Sequence, residues 1–563
     1  MKKIFLLITI IALFASCNDL DITPINGIDQ ATFIQSDEDA ILAVNGVYAA
    51  LVESESVVVA WNVDFGSDAT KAGDAAPEDA AMQLSSFNFH DGIPHTYWAW
   101  GDHYYGIANA TFLIDRLNNP ATPVSDKIRK RVRGEAEFLR AYFNFLIVQI
   151  FGEVPLIVDY SPNIGVNVER DPVQTVYAQI EKDLINSAAD LADYPTTDAY
   201  GADDKGRITQ QSAYGLLSKA YLTWAQTDDT PDPNAKLDKA IEYANKVTGY
   251  ELEQQYGDNW HKDSRYGKES LFAANYVISQ QSAGNGGNHL THCSFSTGFE
   301  QQSPHAVLSD RTFFDRFDDR DQRKRGTYLT QATNPDNGQT TIFNEPRYAK
   351  YIDPDDPARS SKNRELNATI LRYAEVLLVK AEAINERNLA PNAEAYEAIN
   401  KVRRRAYKVG EYADGTATAT LAEAQLPTGL DYRGFQQAVR RERLYELTYE
   451  QVRWFDLKRW KVLQKTVKRV AATSKKDNVQ SKHYRFPLPK SQRDLNTKLW
   501  QNWGYEGSNA ATPPYADPNY EGGPENNDGW TEEQIAYLYA HISSPTTGHD
   551  DHPGYDDGQT HNH

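Results

Sequence analysis

RGEAEFLRAYF, residues 133–143, lies inside a segment whose apolar residues recur at three- and four-residue steps from Asp126 to Phe151. That spacing predicts an amphipathic helix. The same pattern predicts further helices over residues 37–51, 97–117, 172–191, 210–225, 236–247, 370–388, 393–407 and 435–460. Alanines at the close-packing positions of several of these segments, such as Ala374, Ala381 and Ala395, are typical of tetratricopeptide-like helix pairs. The sequence therefore predicts a mainly α fold.

Two stretches lack this periodicity. Residues 249–367 are rich in Gly, Asn, Asp and Pro, with scattered aromatic residues, and we interpret them as a loop-rich insertion with short strands. Residues 61–100 form a second irregular stretch that is also rich in aromatic residues. Loops on a rigid scaffold are where binding sites tend to lie, so we expect a ligand-binding region here. We predict one domain over residues 25–505.

The composition restricts the class of protein. The chain has 563 residues, of which 40% are hydrophobic and 11% aromatic, which is enough for a sizeable core. Its net charge of −20 argues against nucleic acid as a partner, because phosphates need clusters of Lys and Arg. Part of this charge is local, since residues 506–563 contain no Lys or Arg and form an acidic C-terminal extension.

The N-terminus has the pattern of a secretory signal. Lys2 and Lys3 precede a short apolar run, Ile4 to Ala15, and Cys17 follows the small residue Ser16. The segment LFASC, residues 13–17, resembles the lipobox of bacterial lipoproteins, in which the cysteine is acylated. We therefore predict a signal peptide over residues 1–16 and a lipid anchor with a tether over residues 17–24. Attachment to the membrane is expected through this anchor only.

Several segments in a fixed order resemble the SusD/RagB family of nutrient-binding outer-membrane lipoproteins. They are RGEAEFLRAYF (133–143), FGEVPL (151–156), RIT (207–209), LLSKAYL (216–222), LRYAEVLL (371–378), INKVR (399–403), RWFDLKRW (453–460), FPLP (486–489) and DLN (494–496). The resemblance implies a SusD-like helical scaffold on the outer membrane, facing the cell exterior. It also implies a non-catalytic role, in which the protein captures a nutrient and acts as the lid of a SusC-like TonB-dependent barrel transporter.

A glycan is the ligand that the aromatic residues of the irregular stretches favour. Sugar rings present apolar C–H faces that stack on aromatic side chains, and hydroxyl groups that pair with Asp, Asn, Lys and Arg. In the family the ligand surface is built from loops of this kind. We therefore expect the ligand-binding residues to be Asp68, Lys71, Tyr97, Trp98, Tyr276, Phe295 and Phe299.

Four charged residues near the end of the scaffold have a structural interpretation. Arg443, Glu446, Arg453 and Asp456 follow one another at three- and four-residue steps or multiples of them within the predicted helix 435–460. Such spacing predicts a ladder of ion pairs along one helical face. We expect these residues to be partly buried and to stabilise the scaffold, with no part in catalysis.

Other functions stay open at this point. A peptide ligand is the nearest alternative, since some relatives bind peptides, and a surface glycoside hydrolase or a helical-repeat adaptor are further ones. No catalytic motif or cofactor motif supports an enzyme. Calcium is possible where acidic residues cluster, because hard cations prefer oxygen ligands. These clusters are Asp315, Asp318, Asp319 and Asp321, and Asp353, Asp355 and Asp356.

Overall fold

The computed structural model describes residues 33–54, 64–72, 80–88, 90–160, 167–228, 230–276, 307–309, 311–315, 317–333, 338–351, 366–470 and 473–508. Five of the features predicted above lie outside these residues. They are the signal peptide, the lipidation site Cys17, the aromatic residues Phe295 and Phe299, the aspartates Asp353, Asp355 and Asp356, and the extension beyond residue 508.

The described residues are mainly helical, as the periodicity predicts. The helices are, in chain order, α1 (Asp37–Glu53), α2 (Ala80–Ser85), α3 (Pro94–Asn118), α4 (Asp126–Phe151), α5 (Val173–Asp190), α6 (Gln210–Ala225), α7 (Pro233–Lys246), α8 (Arg311–Phe314), α9 (Gln322–Thr327), α10 (Tyr373–Asn388), α11 (Ala393–Ala406), α12 (Leu421–Ala424), α13 (Tyr432–Leu447), α14 (Arg453–Arg459), α15 (Leu463–Val470), α16 (Thr473–Asn478) and α17 (Lys490–Leu495).

The longer helices pack against one another in chain order. Helix α3 packs on α4, α4 on α5, α5 on α6 and α6 on α7, while α10 continues the array against α7, α11 and α13. Helix α4 lies at the centre, because nearly every residue from Gly134 to Phe151 is buried. It ends at Gly152, whose φ of 79° is a conformation that glycine adopts at little cost.

Two predicted helices differ from the structure. Residues 370–372 belong to a strand, so the helix predicted to begin at residue 370 begins at Tyr373. The single helix predicted over residues 435–460 is wrong, because the chain leaves the helix after Leu447 and re-enters it at Arg453. Tyr449 and Gln451, between the two helices, have positive φ angles of 62° and 61°, which interrupt an α-helix.

Among the described residues, six strands form two small antiparallel sheets. The strands are β1 (Thr70–Ala72), β2 (Ser270–Ala274), β3 (Val307–Ser309), β4 (Tyr328–Thr333), β5 (Thr340–Tyr348) and β6 (Ala368–Arg372). One sheet has the order β1-β3-β5-β4, with Lys71 opposite Leu308 and Leu308 opposite Arg347. The other pairs β2 with β6. The predicted loop-rich insertion therefore contains short strands.

A buried group of charged side chains joins these strands to the helices. Glu446 on α13 accepts hydrogen bonds from Arg323, Arg372 and Arg405 at 2.5–3.0 Å. We call the whole group the ionic cluster; its acids are Glu269, Asp321, Glu442, Glu446 and Glu450, and its bases are Arg323, Lys350, Arg372, Arg403 and Arg405. Each acid is matched by a base, as burial of charge requires.

In the ranges that the structure describes, none of the helices is both long enough and apolar enough to cross a bilayer.

Candidate functional site

Helix α3 has one buried and one exposed face. It begins with Pro94 directly after the extended residue Ile93, which is a favoured way to start a helix. Its buried residues include Ala99, Trp100 and Ile107, which pack into the main core. Trp100 is therefore a core residue, with its ring 5.1 Å from that of Phe151 on α4.

The opposite face of α3 carries three exposed aromatic side chains, Tyr97, Trp98 and Tyr105. Their exposed fractions are 45%, 40% and 62%. Trp98 and Tyr105 are seven residues apart, so they lie on the same side of the helix, about 10 Å apart along its axis. We call these three residues the aromatic row. Exposed aromatic groups of this kind mark binding sites more often than chance.

Two local features shape the aromatic row. The ring of His95 packs edge-on against Trp98 at a centroid distance of 4.8 Å, which restricts the position of the indole. Gly101 lies between Trp98 and Tyr105, and a β-carbon there would meet no atom within 4 Å. The surface between the two rings is therefore open. Asp102, the residue after Gly101, is half-buried.

Tyr105 was absent from the ligand-binding residues predicted from the sequence. The signal that identifies it is the helical period itself, because Trp98 and Tyr105 share a face of the predicted helix 97–117. Tyr97 and Trp98 are exposed, as a ligand contact requires, and they lie together on α3.

Asp68 is placed differently from the prediction. It is only 4% exposed, and its two carboxylate oxygens accept hydrogen bonds of 2.8 Å from Arg453. This arrangement gives Asp68 a structural role in fastening residues 64–72 to α14. A contact with ligand would need the carboxylate at the surface. We therefore correct the predicted ligand contact of Asp68 to a structural role.

The segment around Asp68 is held at a second point. Lys475 donates hydrogen bonds to the backbone carbonyls of Phe65, Ser67 and Thr70. Burial raises the pKa of Asp64, at the start of this segment, to about 8. Its carboxyl group is therefore mostly protonated at neutral pH, and the segment forms part of the core.

Tyr276 also lies away from the surface. It is 3% exposed, and its hydroxyl donates to the backbone carbonyl of Val52 at 3.2 Å. This contact joins the end of β2 to α1, so we correct the predicted ligand contact to a packing role. The backbone of Lys71 belongs to β1, while its side chain and the residues Phe295 and Phe299 lie outside the described part.

The four charged residues predicted to form a ladder are all buried, but their partners differ from the prediction. Arg443 pairs with Asp456 at 2.8 Å, across the break between α13 and α14. Glu446 belongs to the ionic cluster, and Arg453 pairs with Asp68. The ladder along one helical face is wrong, because the chain turns between residues 448 and 452 and the side chains meet partners from distant segments.

Three aspartates of the first predicted calcium cluster pair with nearby cations. Asp318 pairs with Arg320, Asp319 with Lys324 and Asp321 with Arg323. Within the residues that the structure describes, no group of three or more His, Cys, Asp or Glu side chains is arranged to hold a metal ion.

Comparison with known proteins gives matches along almost all of the scaffold. Residues 223–505 match the model of the SusD family, and residues 26–222 match a family described as starch-binding and associating with the outer membrane. SusD-like protein P2 of Formosa agariphila is 25% identical over 542 residues, which cover 89% of this chain and 99% of the relative.

Solved structures share the fold. The crystal structure of a SusD homologue from Bacteroides thetaiotaomicron matches with a TM-score of 0.73 and 24% identity, covering 84% of this chain and 98% of that one. A laminarin-binding SusD-like protein matches with a TM-score of 0.67 and 21% identity, covering 84% and 100% of the two chains. The helical scaffold, the ordered sequence motifs and these matches agree, and the chain belongs to the SusD family.

Proposed function

We propose that this protein is a non-catalytic surface lipoprotein that captures an oligosaccharide or polysaccharide on the aromatic row. The captured glycan would pass to a SusC-like TonB-dependent barrel, for which the protein acts as a lid. The observation that carries this proposal is the exposure of Tyr97, Trp98 and Tyr105 on one part of α3.

The geometry of the aromatic row suits a sugar better than a peptide. Flat rings beside an open surface can stack on the C–H faces of successive sugar rings. Peptides are commonly captured by pairing with a strand edge, and a helix offers no such edge. The laminarin-binding relative is consistent with the same choice.

Membrane attachment would follow from the lipobox-like sequence at Cys17. Acylation contributes about 0.8 kcal/mol per buried CH₂, so the two or three chains of a bacterial lipoprotein anchor a folded domain stably. The acidic residues that directly follow Cys17, Asp19 and Asp21, resemble the surface-export signal of the family's lipoproteins. The lipid would then lie in the outer leaflet and the protein would face the medium.

Isothermal titration against a panel of purified glycans tests the binding step. The panel should contain laminari-oligosaccharides, malto-oligosaccharides and a mixture of unstructured peptides. Saturable binding of one glycan series, without release of shorter products, supports the proposal. Binding of the peptides alone would overturn it in favour of a peptide receptor, and shortened products would overturn it in favour of a hydrolase.

Co-purification tests the transport step. The full-length protein, expressed in its own host with an affinity tag, should bring down a barrel protein with a TonB-interaction segment, and labelling with a fatty-acid analogue should depend on Cys17. Replacing Cys17 by Ser should release the protein from the membrane fraction. Recovery of the folded protein without any barrel partner would refute the lid role.

A further inference from the structure

A cavity lies among the helices, on a different part of the fold from the aromatic row. A cavity of about 480 Å³ opens between the end of α4, the start of α5, the end of α6 and helix α14. This volume falls in the range of small-molecule sites. No residue of α3 lines it, so it is separate from the aromatic row.

The cavity is rich in positive charge, in a protein whose net charge is −20. Its lining includes Arg170, Lys458, Arg459 and Arg485, against two carboxylates, Glu153 and Asp228. Both carboxylates are engaged, since Glu153 pairs with Arg485 and Asp228 pairs with Lys461. The site therefore has an excess of cations.

Lys458 differs from the other cations of the lining. Arg459 pairs with Glu382 and Asp456, and the Arg170 guanidinium donates to carbonyls of Phe151, Glu153 and Trp500 and to the side chain of Asn502. The Lys458 amine donates to the backbone carbonyl of Gln149, at the end of α4. Across the described part of the chain, no carboxylate lies within ion-pair distance of it. An ammonium has three donors, so Lys458 keeps hydrogen-bonding capacity for a ligand.

The remaining walls suit a sugar. Phe455 and Trp500 supply aromatic surface, and the amide and hydroxyl side chains of Gln174, Gln226 and Thr223 supply partners for hydroxyl groups. Helix α5 begins here at Val173 without a side-chain cap, and Pro172, Val173 and Gln174 at its start line the cavity.

Gly152 lets one of the cations approach closely. A β-carbon at this position would collide with the guanidinium of Arg485, so that group lies directly against the backbone after α4. This explains why glycine occurs in the motif FGEVPL, and it places the positive charge of Arg485 at the cavity wall.

We propose that this cavity binds a uronic acid, with the sugar carboxylate on Lys458 and the sugar ring against Phe455 and Trp500. Burial lowers the pKa of Lys458 well below its ordinary value. A bound carboxylate would stabilise the ammonium form, so binding should be accompanied by uptake of a proton at alkaline pH.

Titration calorimetry of the full-length protein with D-glucuronate tests the proposal. D-glucose should bind at least about ten-fold more weakly, because a hydrogen bond to a charged group contributes about 1.5–3 kcal/mol. Lys458→Met should weaken the binding of glucuronate by a similar factor. Lys239→Met, which removes an exposed lysine that does not line the cavity, should bind as the wild type does, and so should Trp98→Ala.

A labelling experiment on the wild type avoids dependence on the folding of the variant. A lysine with a lowered pKa has a larger uncharged, reactive fraction at a given pH than an ordinary lysine, so trinitrobenzenesulfonate should modify Lys458 readily. Glucuronate should protect Lys458 from this reagent, whereas glucose and acetate should not. Equal affinity for glucuronate and glucose, equal binding by the wild type and Lys458→Met, or equal protection by acetate would overturn the proposal. Trp98→Ala changes the aromatic row and leaves the lining of the cavity intact. A missing glucuronate site and a missing glycan surface on the aromatic row can therefore be told apart.

Discussion

The guanidinium of Arg453 donates two hydrogen bonds of 2.8 Å to the carboxylate of Asp68, across 385 positions of the sequence. Both side chains are buried, so the pair forms where water cannot compete. The contact fixes residues 64–72 to α14, on the same scaffold that carries the aromatic row.

Arg453→Met should destabilise the protein strongly. It leaves the Asp68 carboxylate buried without its partner, which typically costs about 3–5 kcal/mol in the free energy of unfolding. Urea denaturation followed by tryptophan fluorescence measures this. Lys239→Met, which breaks the exposed pair with Glu242, is the control and should change the free energy of unfolding by less than about 0.5 kcal/mol. A loss from Arg453→Met as small as that of the control would contradict the buried pair.

Asp68→Asn separates the structural role from the binding role predicted by the sequence. We expect the variant to be less stable than the wild type, while its folded form binds glycan with unchanged affinity. Titration calorimetry well below the unfolding temperature provides the measurement. Weaker binding by a fully folded Asp68→Asn protein would restore this residue to the ligand surface.

Trp98→Ala should weaken glycan binding by about 2 kcal/mol or more, as expected for a large aromatic contact at the centre of a site. Tyr105→Ala should cost about 1 kcal/mol. The matched control is Tyr266→Ala, which removes another exposed aromatic residue outside α3. Affinity electrophoresis in glycan-containing gels ranks the three variants, and equal migration of all of them with the wild type would exclude the aromatic row as the site.

The stability contributed by Glu382 should be lost in acid. Burial acts to raise the pKa of this carboxyl, but the charge and hydrogen bonds of Arg459 outweigh burial and lower the pKa to about 2. The contribution is therefore complete above the unfolded pKa of about 4.3 and falls as the pH decreases toward 2. The difference in unfolding free energy between wild type and Glu382→Gln should shrink by roughly 3 kcal/mol over this interval.

Glu137 should have the opposite effect on the pH dependence of stability. Burial, assisted by the charge of Asp183, raises the pKa of Glu137 to about 8. A group with a raised pKa disfavours the folded state increasingly as the pH rises from about 4.3 to 8, because the unfolded chain ionises first. Glu137→Gln should therefore gain stability relative to the wild type across this interval. A constant difference between the two proteins from pH 4 to 9 would contradict the raised pKa.

The helices could be predicted from the sequence because their signal is local. The apolar spacing gives Asp126–Phe151 and Gln210–Ala225 with the bounds that the structure has, since a buried helical face repeats within a few residues. The strand at residues 368–372 was missed, because five residues are too few to separate the strand period from the helical one.

The proposed binding surface was only partly predictable, for a different reason. Tyr97 and Trp98 are adjacent and were predicted, and Tyr105 could have been added from the period of the helix. The burial of Asp68 depends on Arg453 and that of Tyr276 on a contact with Val52, both far away in the sequence. Spacing within a segment carries no information about such partners.

The ionic cluster links parts of the chain that are far apart in the sequence. Arg323 and its partner Glu446 are 123 positions apart, and Glu269 and Arg405 are 136 apart. Until α13 is available, Arg323, Arg372 and Arg405 would have to be buried without enough countercharge, which is strongly unfavourable. The charge balance of the strand-containing middle of the chain therefore depends on a helix that lies after it in the sequence. A chain truncated before residue 450 would lack part of the countercharge that this region buries.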